Sequence, residues 1–191
     1  MSIAEAIEPH RWTVAEFLAW QAEMDERYEL VDGFPVKMMS PTLIRHDRVI
    51  MNLTVEIAPK LRGGPCEPFS GDNAIETLPG QIRRPDFGID CGRTDDDSYL
   101  RSAPTLVVEV FSPSTRRFDL AAKLPEYQSI TGLRHILYID PHKVEVAHWS
   151  RDVDGGWRLA SHVSIDDRIE LEAFDASIDI VSLYRGIRLD D

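Results

Sequence analysis

Cysteine is scarce in this sequence, since only Cys66 and Cys91 occur among its 191 residues. Two cysteines exclude a framework of several disulfides and a zinc site built from four cysteine ligands, and they leave a reducing cytoplasm as the expected location. Long hydrophobic runs are also missing, because no stretch approaches the ~20 continuous apolar residues that cross a bilayer. The first ten residues contain two glutamates and no Lys or Arg. We therefore expect no secretory signal peptide there.

Several catalytic motifs and every kind of internal repeat are absent too. Without a GxSxG motif or a phosphate-cradling glycine loop, serine hydrolases and P-loop enzymes lack support. No low-complexity linker marks a domain boundary, and 43% apolar residues supply enough material for one core. We expect a single domain over residues 1–191.

The sequence lacks an overall excess of basic residues, since its net charge is -12. Such an excess is the usual sign of a nucleic-acid-binding protein. The negative charge is confined to two flanks, residues 1–32 and 135–191, which carry -6 each, while residues 33–134 are neutral. This leaves room for a local basic cluster in the middle of the chain, formed by Arg83, Arg84, Arg116, Arg117 and Lys123. Acidic flanks that simply aid solubility are the alternative interpretation.

The first third of the chain predicts a helix, a hairpin and a second helix. Thr13 and Glu16 have the spacing of a capping box, which predicts a helix to about Met24. Asp32-Gly33 predicts the tight turn of a hairpin between residues 28–31 and 34–39. Apolar residues at helical spacing then predict a long helix over residues 40–61, with an inward stripe of His46, Ile50, Leu53, Ile57 and Leu61.

The rest of the chain is rich in strand signals. The clearest is Leu106–Phe111, which is apolar on both faces and therefore predicts a central strand. A second buried strand is expected at residues 135–139, and a helix at about 116–131 lies between the two. Further strands are expected at residues 66–70, 73–77, 83–90, 143–149, 157–160 and 169–171. The order of elements predicts an α/β or α+β fold with one mixed β-sheet flanked by helices.

Glu109 is the most informative residue, because it is an ionisable group inside an apolar strand. A carboxylate buried there needs a cation, a proton or several hydrogen-bond donors. Its partner is either an arginine from a neighbouring helix or a functional group such as a metal ion. Asp86 lies on a neighbouring predicted strand, and two such carboxylates form a hard oxygen site that suits Mg²⁺ or Mn²⁺. Taken alone, however, Pro85-Asp86 is a common turn sequence.

Lys123 follows on the predicted helix, at an offset that directs it toward the end of the strand that carries Glu109. The simpler interpretation is a salt bridge to Asp119 on the same helix. A divalent cation and an ammonium together are what phosphodiester hydrolysis requires, because the metal generates hydroxide and both groups neutralise phosphate charge.

Taken in order, these motifs resemble the Uma-type restriction endonuclease family of the PD-(D/E)XK nuclease-like superfamily. The resemblance is carried by Arg84-Pro-Asp86, by the run from Leu106 through Glu109 to Thr115, and by Asp119, Lys123 and Tyr127. It continues through Tyr138-Ile-Asp-Pro141, and Tyr28–Gly33 and His46 also fit, so it covers roughly residues 10–150. It implies a restriction-endonuclease-like fold with a metal site at one end of two central strands.

The resemblance also implies roles for individual residues. Asp86 and Glu109 match the acidic metal ligands, Lys123 matches a catalytic lysine moved to the following helix, and Glu29 and His46 match additional polar positions near the site. Without the resemblance, Glu29 is equally well a solvent-facing strand residue, and His46 is more simply a hydrogen-bonded core histidine. Phe111 stands where the superfamily usually has its lysine, and Pro125 is expected to kink the helix after Lys123.

The expected function is that of a Mg²⁺- or Mn²⁺-dependent endonuclease that hydrolyses DNA phosphodiester bonds. The expected partner is nucleic acid, with DNA favoured over RNA, and no membrane; a homodimer is one arrangement to consider. A catalytically inactive relative that binds nucleic acid or a protein partner is the main alternative, favoured by the net charge and Phe111. A metal-dependent hydrolase of a small phosphorylated molecule is a further alternative.

Overall fold

The structure is a computed structural model that describes residues 10–38, 43–93, 95–112 and 119–190. In chain order, the elements are α1 (Val14–Gln21), β1 (Tyr28–Val31), β2 (Phe34–Lys37), α2 (Ile44–Ile57), β3 (Glu67–Ser70), β4 (Ala74–Glu76), β5 (Ile82–Arg83), β6 (Phe87–Asp90), β7 (Leu100–Arg101), β8 (Pro104–Val110), α3 (Leu124–Ser129), β9 (His135–Ile139), β10 (Val146–Arg151), β11 (Trp157–His162), β12 (Arg168–Leu171), β13 (Ala176–Asp179) and α4 (Ile180–Leu183). A 3₁₀ turn, Ala58–Leu61, follows α2, and a π-helical turn, Asp119–Lys123, precedes α3. Among the described residues, no helix has both the length and the apolar character that a membrane span requires.

The main sheet has six strands in the order β11-β10-β9-β8-β6-β3. Strands β8 and β9 are parallel, whereas the other neighbouring pairs are antiparallel, so the sheet is mixed. One face of β8 packs in the same core as α2, and its other face packs in the same core as Tyr127 of α3. The predicted α+β fold, with a mixed sheet flanked by helices, is confirmed, and the central strand expected at residues 106–111 is β8, Pro104–Val110. The prediction of one sheet is wrong, because the strands of the described residues form three sheets.

A smaller sheet, in the order β2-β1-β5-β4-β7, lies beside the main one, and β12 and β13 pair separately. The predicted hairpin is confirmed, because β1 and β2 pair around Asp32 and Gly33, whose φ angles are 51° and 81°. A strand over residues 83–90 was a wrong prediction. Pro85 cannot donate to a sheet ladder, and the chain divides around it into β5 of the small sheet and β6 of the main sheet.

The predicted helices are real but shorter. Thr13 caps α1, and both reciprocal bonds of its capping box with Glu16 are present, but the helix ends at Gln21 instead of Met24. In α2, Leu53 and Ile57 of the predicted stripe are buried, but Val49 takes the buried place expected for Ile50, which only packs against the core. The predicted helix at residues 116–131 corresponds to the π-helical turn and α3, and residues 116–118 lie outside the described ranges, as do residues 40–42.

The two cysteines form one disulfide, Cys66–Cys91, with a Cα–Cα distance of 4.0 Å. They flank paired residues of β3 and β6, since Glu67 pairs with Asp90. A framework of several disulfides is excluded, as expected, but the bridge removes the argument that unpaired cysteines indicate a reducing compartment. A cytoplasmic location therefore stays a prediction.

Candidate active site

Glu109 lies near the end of β8 and is 4% exposed. It shares a face of the strand with Val107 and Phe111, which pack against Tyr127 and Tyr138. Its Oε1 atom accepts hydrogen bonds from the Lys123 ammonium at 3.0 Å and from the Tyr127 hydroxyl at 2.5 Å. A carboxylate in an apolar layer needs such donors. Both come from one segment, residues 119–129.

Lys123 ends the π-helical turn at the point where α3 begins. Pro125 lies in the first turn of α3, where its missing N–H is not needed. The helix is not kinked after Lys123 as expected; the irregular part is the π-helical turn that precedes α3. The Lys123 Nζ atom is 3.0 Å from Glu109 Oε1 and 3.5 Å from Glu29 Oε1. Phe111, at the position of the superfamily's usual lysine, stacks on Tyr138 with ring centroids 5.4 Å apart.

Glu29, on β1, is held by the start of the β5–β6 connection. Its Oε2 atom accepts a hydrogen bond from Arg83 Nη1 at 2.9 Å, and its Oε1 atom accepts one from the Arg84 backbone N–H at 3.1 Å. Glu29 is only 6% exposed, so the solvent-facing interpretation of this residue is wrong. It lies in the same buried cluster as Lys123 and Glu109.

Arg83 is the centre of this cluster and is 1% exposed. Its Nε and Nη2 atoms donate to the two carboxylate oxygens of Glu126 at 2.8 and 2.6 Å, while Nη1 donates to Glu29. Glu126 also accepts a hydrogen bond from Thr77 at 2.8 Å. A continuous line of contacts therefore runs from Thr77 through Glu126, Arg83, Glu29 and Lys123 to Glu109.

The basic cluster predicted in the middle of the chain is not present as a free surface in the described residues. Arg83 and Lys123 face carboxylates, and the buried Arg84 donates to the backbone carbonyls of Tyr28 and Asp72. These three residues do not offer a free positive surface to nucleic acid. Arg116 and Arg117, the other two members, lie outside the described residues.

The pKa values within the cluster follow from its contacts. Burial acts to lower the pKa of Arg83, but the hydrogen bonds and charges of Glu126 and Glu29 outweigh it and raise this pKa. Burial, followed by the negative charges of Glu109 and Glu29, raises the pKa of Tyr127 well above its ordinary value. Tyr127 therefore remains protonated at neutral pH and can donate to Glu109.

Asp86 lies between β5 and β6. Extending the β6–β8 pairing by one residue places it across from Glu109, and its Oδ2 atom accepts the Val110 backbone N–H at 2.8 Å. His46 Nε2, from α2, contacts the same oxygen at 3.2 Å. Burial acts to lower the pKa of His46, but the contact with Asp86 and its negative charge give a net rise. His46 is thus buried, as in the core interpretation, and also contacts a predicted site residue.

The donors available to a metal ion are few. Among the described residues, no three His, Cys, Asp or Glu side chains are arranged to hold one. Asp86 has the most accessible carboxylate of the site, with 24% of its side chain exposed, and within the described ranges its Oδ1 atom has no hydrogen-bond partner. A carboxylate oxygen is a hard donor, which fits Mg²⁺ or Mn²⁺ better than zinc.

The sequence identified five candidate site residues, and the structure arranges them in two groups. Lys123 contacts Glu109 and Glu29 in the first group, and His46 contacts Asp86 in the second. The sequence analysis assigned no site role to Arg83 or Glu126, and it named Tyr127 only as part of the resemblance. The available signal for Glu126 was weak, since this residue only follows Lys123 on the same helix.

Comparisons with known proteins give the family and the fold of this chain. Residues 14–181 match the family model Uma2, described as "Putative restriction endonuclease". Two proteins of Synechocystis sp. (strain ATCC 27184 / PCC 6803 / Kazusa) are similar: "Uncharacterized protein slr1290" is 29% identical over 174 residues, which cover 90% of each chain. "Uncharacterized protein sll1609" is 25% identical over 162 residues, which cover 83% of this chain and 91% of that one.

The fold is also similar to that of a crystal structure described as "a putative nuclease belonging to DUF820" from Anabaena variabilis ATCC 29413. The two chains superpose with a TM-score of 0.74 at 16% sequence identity, over 92% of this chain and 99% of the other.

Proposed function

Because this chain belongs to the Uma2 restriction endonuclease family, we propose that it is a divalent-metal-dependent endonuclease that hydrolyses DNA phosphodiester bonds. The observation that carries the proposal is the buried contact of Lys123 with Glu109 at the end of β8, together with Asp86, which the extended β6–β8 register puts across from Glu109. Two carboxylates and an ammonium are the groups that metal-assisted phosphodiester hydrolysis requires.

Asp86 and Glu109 are the residues that would hold the ion. When bound, a divalent cation there supplies charge neutralisation at the phosphate and a hydroxide nucleophile at neutral pH. The unpartnered Oδ1 atom of Asp86 and its partial exposure support this role.

The side chains around the two carboxylates have separate tasks. Lys123 keeps a positive charge next to Glu109 and offers it to the scissile phosphate. His46 fixes the orientation of Asp86, and Tyr127 holds the Glu109 carboxylate. Because Asp86 is more exposed than Glu109 or Lys123, substrate approaches the site from the side of Asp86.

Two observations favour the alternative of an inactive relative that binds nucleic acid or a protein partner. The described side chains offer no cluster of three metal donors, and Phe111 packs into the core instead of supplying an ammonium. The test of activity therefore has to distinguish the two functions.

The test is cleavage of supercoiled plasmid, single-stranded DNA and RNA in Mg²⁺ and in Mn²⁺. We expect the wild type to cut DNA, EDTA to stop the reaction, and Asp86→Asn to lose at least about 10²-fold in rate, as for loss of a group that stabilises the transition state. Asp154→Asn, in an exposed turn, is the matched control and should cut like the wild type.

Thermal unfolding provides a second measurement. The ion binds only the folded protein and should raise the melting temperature of the wild type and of Asp154→Asn, but not that of Asp86→Asn. If the wild type cuts no better than Asp86→Asn on any DNA or RNA, the binding function replaces the enzymatic one.

A further inference from the structure

Lys123 is shared between two buried carboxylates. Its Nζ atom is 3.0 Å from Glu109 Oε1, a hydrogen-bonding distance, and 3.5 Å from Glu29 Oε1. The lysine side chain is 9% exposed, and both carboxylates are less exposed still. The ammonium therefore has two neighbouring acceptors within a dry region of the protein.

The two acceptors differ in how they are held. Glu29 is fixed by Arg83 and by the Arg84 backbone N–H, and Arg83 is itself fixed by both oxygens of Glu126. Glu109 Oε1, in contrast, is bound by Lys123 together with the neutral Tyr127 hydroxyl. Glu29 thus offers Lys123 a rigid, preformed second position.

We propose that Glu29 is a positioning residue that takes up the Lys123 ammonium when Glu109 binds a divalent cation. The inference rests on the proposed function, because it needs an ion at Glu109. Without the ion, Lys123 is the counter-charge of Glu109. With a divalent cation bound, Lys123 would lose Glu109 as its acceptor, and Glu29 would hold the ammonium beside the site.

The displacement is small. The 3.5 Å separation between Lys123 Nζ and Glu29 Oε1 has to close by roughly 0.7 Å to reach the ~2.8 Å of a charge-assisted hydrogen bond. A flexible four-carbon stem covers such a distance with little change in its torsion angles. No movement of α3 or of β1 is required.

The test is a double-mutant cycle on Mn²⁺ affinity, measured by calorimetry without any substrate. Glu29→Gln removes the second acceptor, so Lys123 stays on Glu109 and the dissociation constant should rise about tenfold, the size of a typical coupling between sites. Lys123→Met removes the competing ammonium and should tighten Mn²⁺ binding. In the Lys123→Met background, Glu29→Gln should change the dissociation constant by less than about threefold.

Two controls keep the result interpretable. Glu29→Asp retains the charge next to Arg83 but shortens the reach toward Lys123, so it should weaken Mn²⁺ binding in the wild-type background even if Glu29→Gln does not fold. Glu23→Gln removes one negative charge from an exposed glutamate and should leave the affinity unchanged.

The outcomes separate this inference from the proposed function. Equal losses from the Glu29 substitutions with and without Lys123 would overturn the exchange of Lys123 while leaving the metal site and DNA cleavage intact. A wild-type protein that binds no Mn²⁺ would overturn both. A loss confined to the background that contains Lys123 is the expected result.

Discussion

At the candidate active site Arg83 and Lys123 contact carboxylates, whereas the buried histidines of β9 and β10 contact chiefly each other. His135 Nδ1 and His148 Nε2 are 3.1 Å apart, and His148 stacks against His162 on β11. We call these three residues the histidine stripe. Both regions bury ionisable groups, yet one provides opposite charges and the other does not.

The pKa values record this difference. Burial lowers the pKa of His135 to about 4, and burial together with its histidine neighbours lowers that of His148 to about 4. Glu172 approaches His135 at 3.9 Å, but its side chain is 76% exposed and compensates little. The active-site cluster instead raises the pKa of Arg83 despite its burial. Burial keeps a group neutral unless an opposite charge is built beside it, and only the active-site cluster builds one.

The largest expected effect comes from removing the central cation of the active-site cluster. Arg83→Met keeps most of the apolar stem but leaves the carboxylates of Glu29 and Glu126 facing each other. We expect a loss of about 3–5 kcal/mol in the free energy of unfolding, which is the cost of removing one partner of a buried ion pair. Urea denaturation measures this loss.

The matched control is Arg158→Met, because Arg158 pairs with Asp152 at the surface, with 74% of its side chain exposed. It should change the unfolding free energy by less than about 1 kcal/mol. Similar losses for both variants would show that burial of the ion pairs does not matter, and the contrast between the two regions would lose its basis.

The second-largest expected effect is a loss of stability at low pH that is caused by histidines of the histidine stripe. The pKa values of His135 and His148 are about 4 when folded and about 6.5 when unfolded. The unfolded chain therefore binds protons first as the pH falls, so stability is complete above pH 6.5 and declines toward pH 4. For the pair, we expect a loss of about 2–4 kcal/mol between pH 7 and pH 5.

His46 acts in the opposite direction, because its pKa is raised by Asp86, and its contribution is lost as the pH rises. His148→Gln removes one titrating group from the stripe and should flatten the acid side of the stability profile. His10→Gln, at a side chain that is 69% exposed, should leave the profile unchanged. An acid profile that His148→Gln does not alter would contradict the burial of His148 in its neutral form.

Local signals allowed parts of the fold to be predicted. The hairpin turn could be predicted because Asp32 and Gly33 themselves favour the positive φ angles that a tight turn requires. The central strand could be predicted because Leu106–Phe111 is apolar on both faces. The interval 83–90 was misjudged because strand patterning does not say which sheet a segment joins. Pro85 ends one ladder, and its two sides pair with distant strands, β1 and β8.

The candidate site was predictable to the extent that a residue violated its local pattern. Glu109 stood out as a charge within an apolar strand, and Lys123 followed from its offset along the next helix. Arg83 violates no pattern, since an arginine beside another arginine is ordinary at a surface. Its burial depends on Glu29, 54 positions away, and on Glu126, 43 positions away, and such distant pairing cannot be inferred from one sequence.

The smallest effect tests the neutral donor inside the charged cluster. Tyr127→Phe removes the hydroxyl that donates to Glu109 Oε1 at 2.5 Å and leaves the ring in the core. We expect a loss of about 1–3 kcal/mol in unfolding free energy at pH 7, the range for a hydrogen bond to a charged group. Because the pKa of Tyr127 is raised above its ordinary value, the hydroxyl stays protonated in the folded protein, and the loss should be constant from pH 6 to pH 9.

Tyr99→Phe, at a half-exposed residue, should cost less than about 0.5 kcal/mol. A Tyr127→Phe loss that vanished at pH 9 would mean that the hydroxyl ionises next to Glu109. The cluster would then hold two adjacent negative charges, and the active-site cluster would no longer be the region in which each buried charge has an opposite partner.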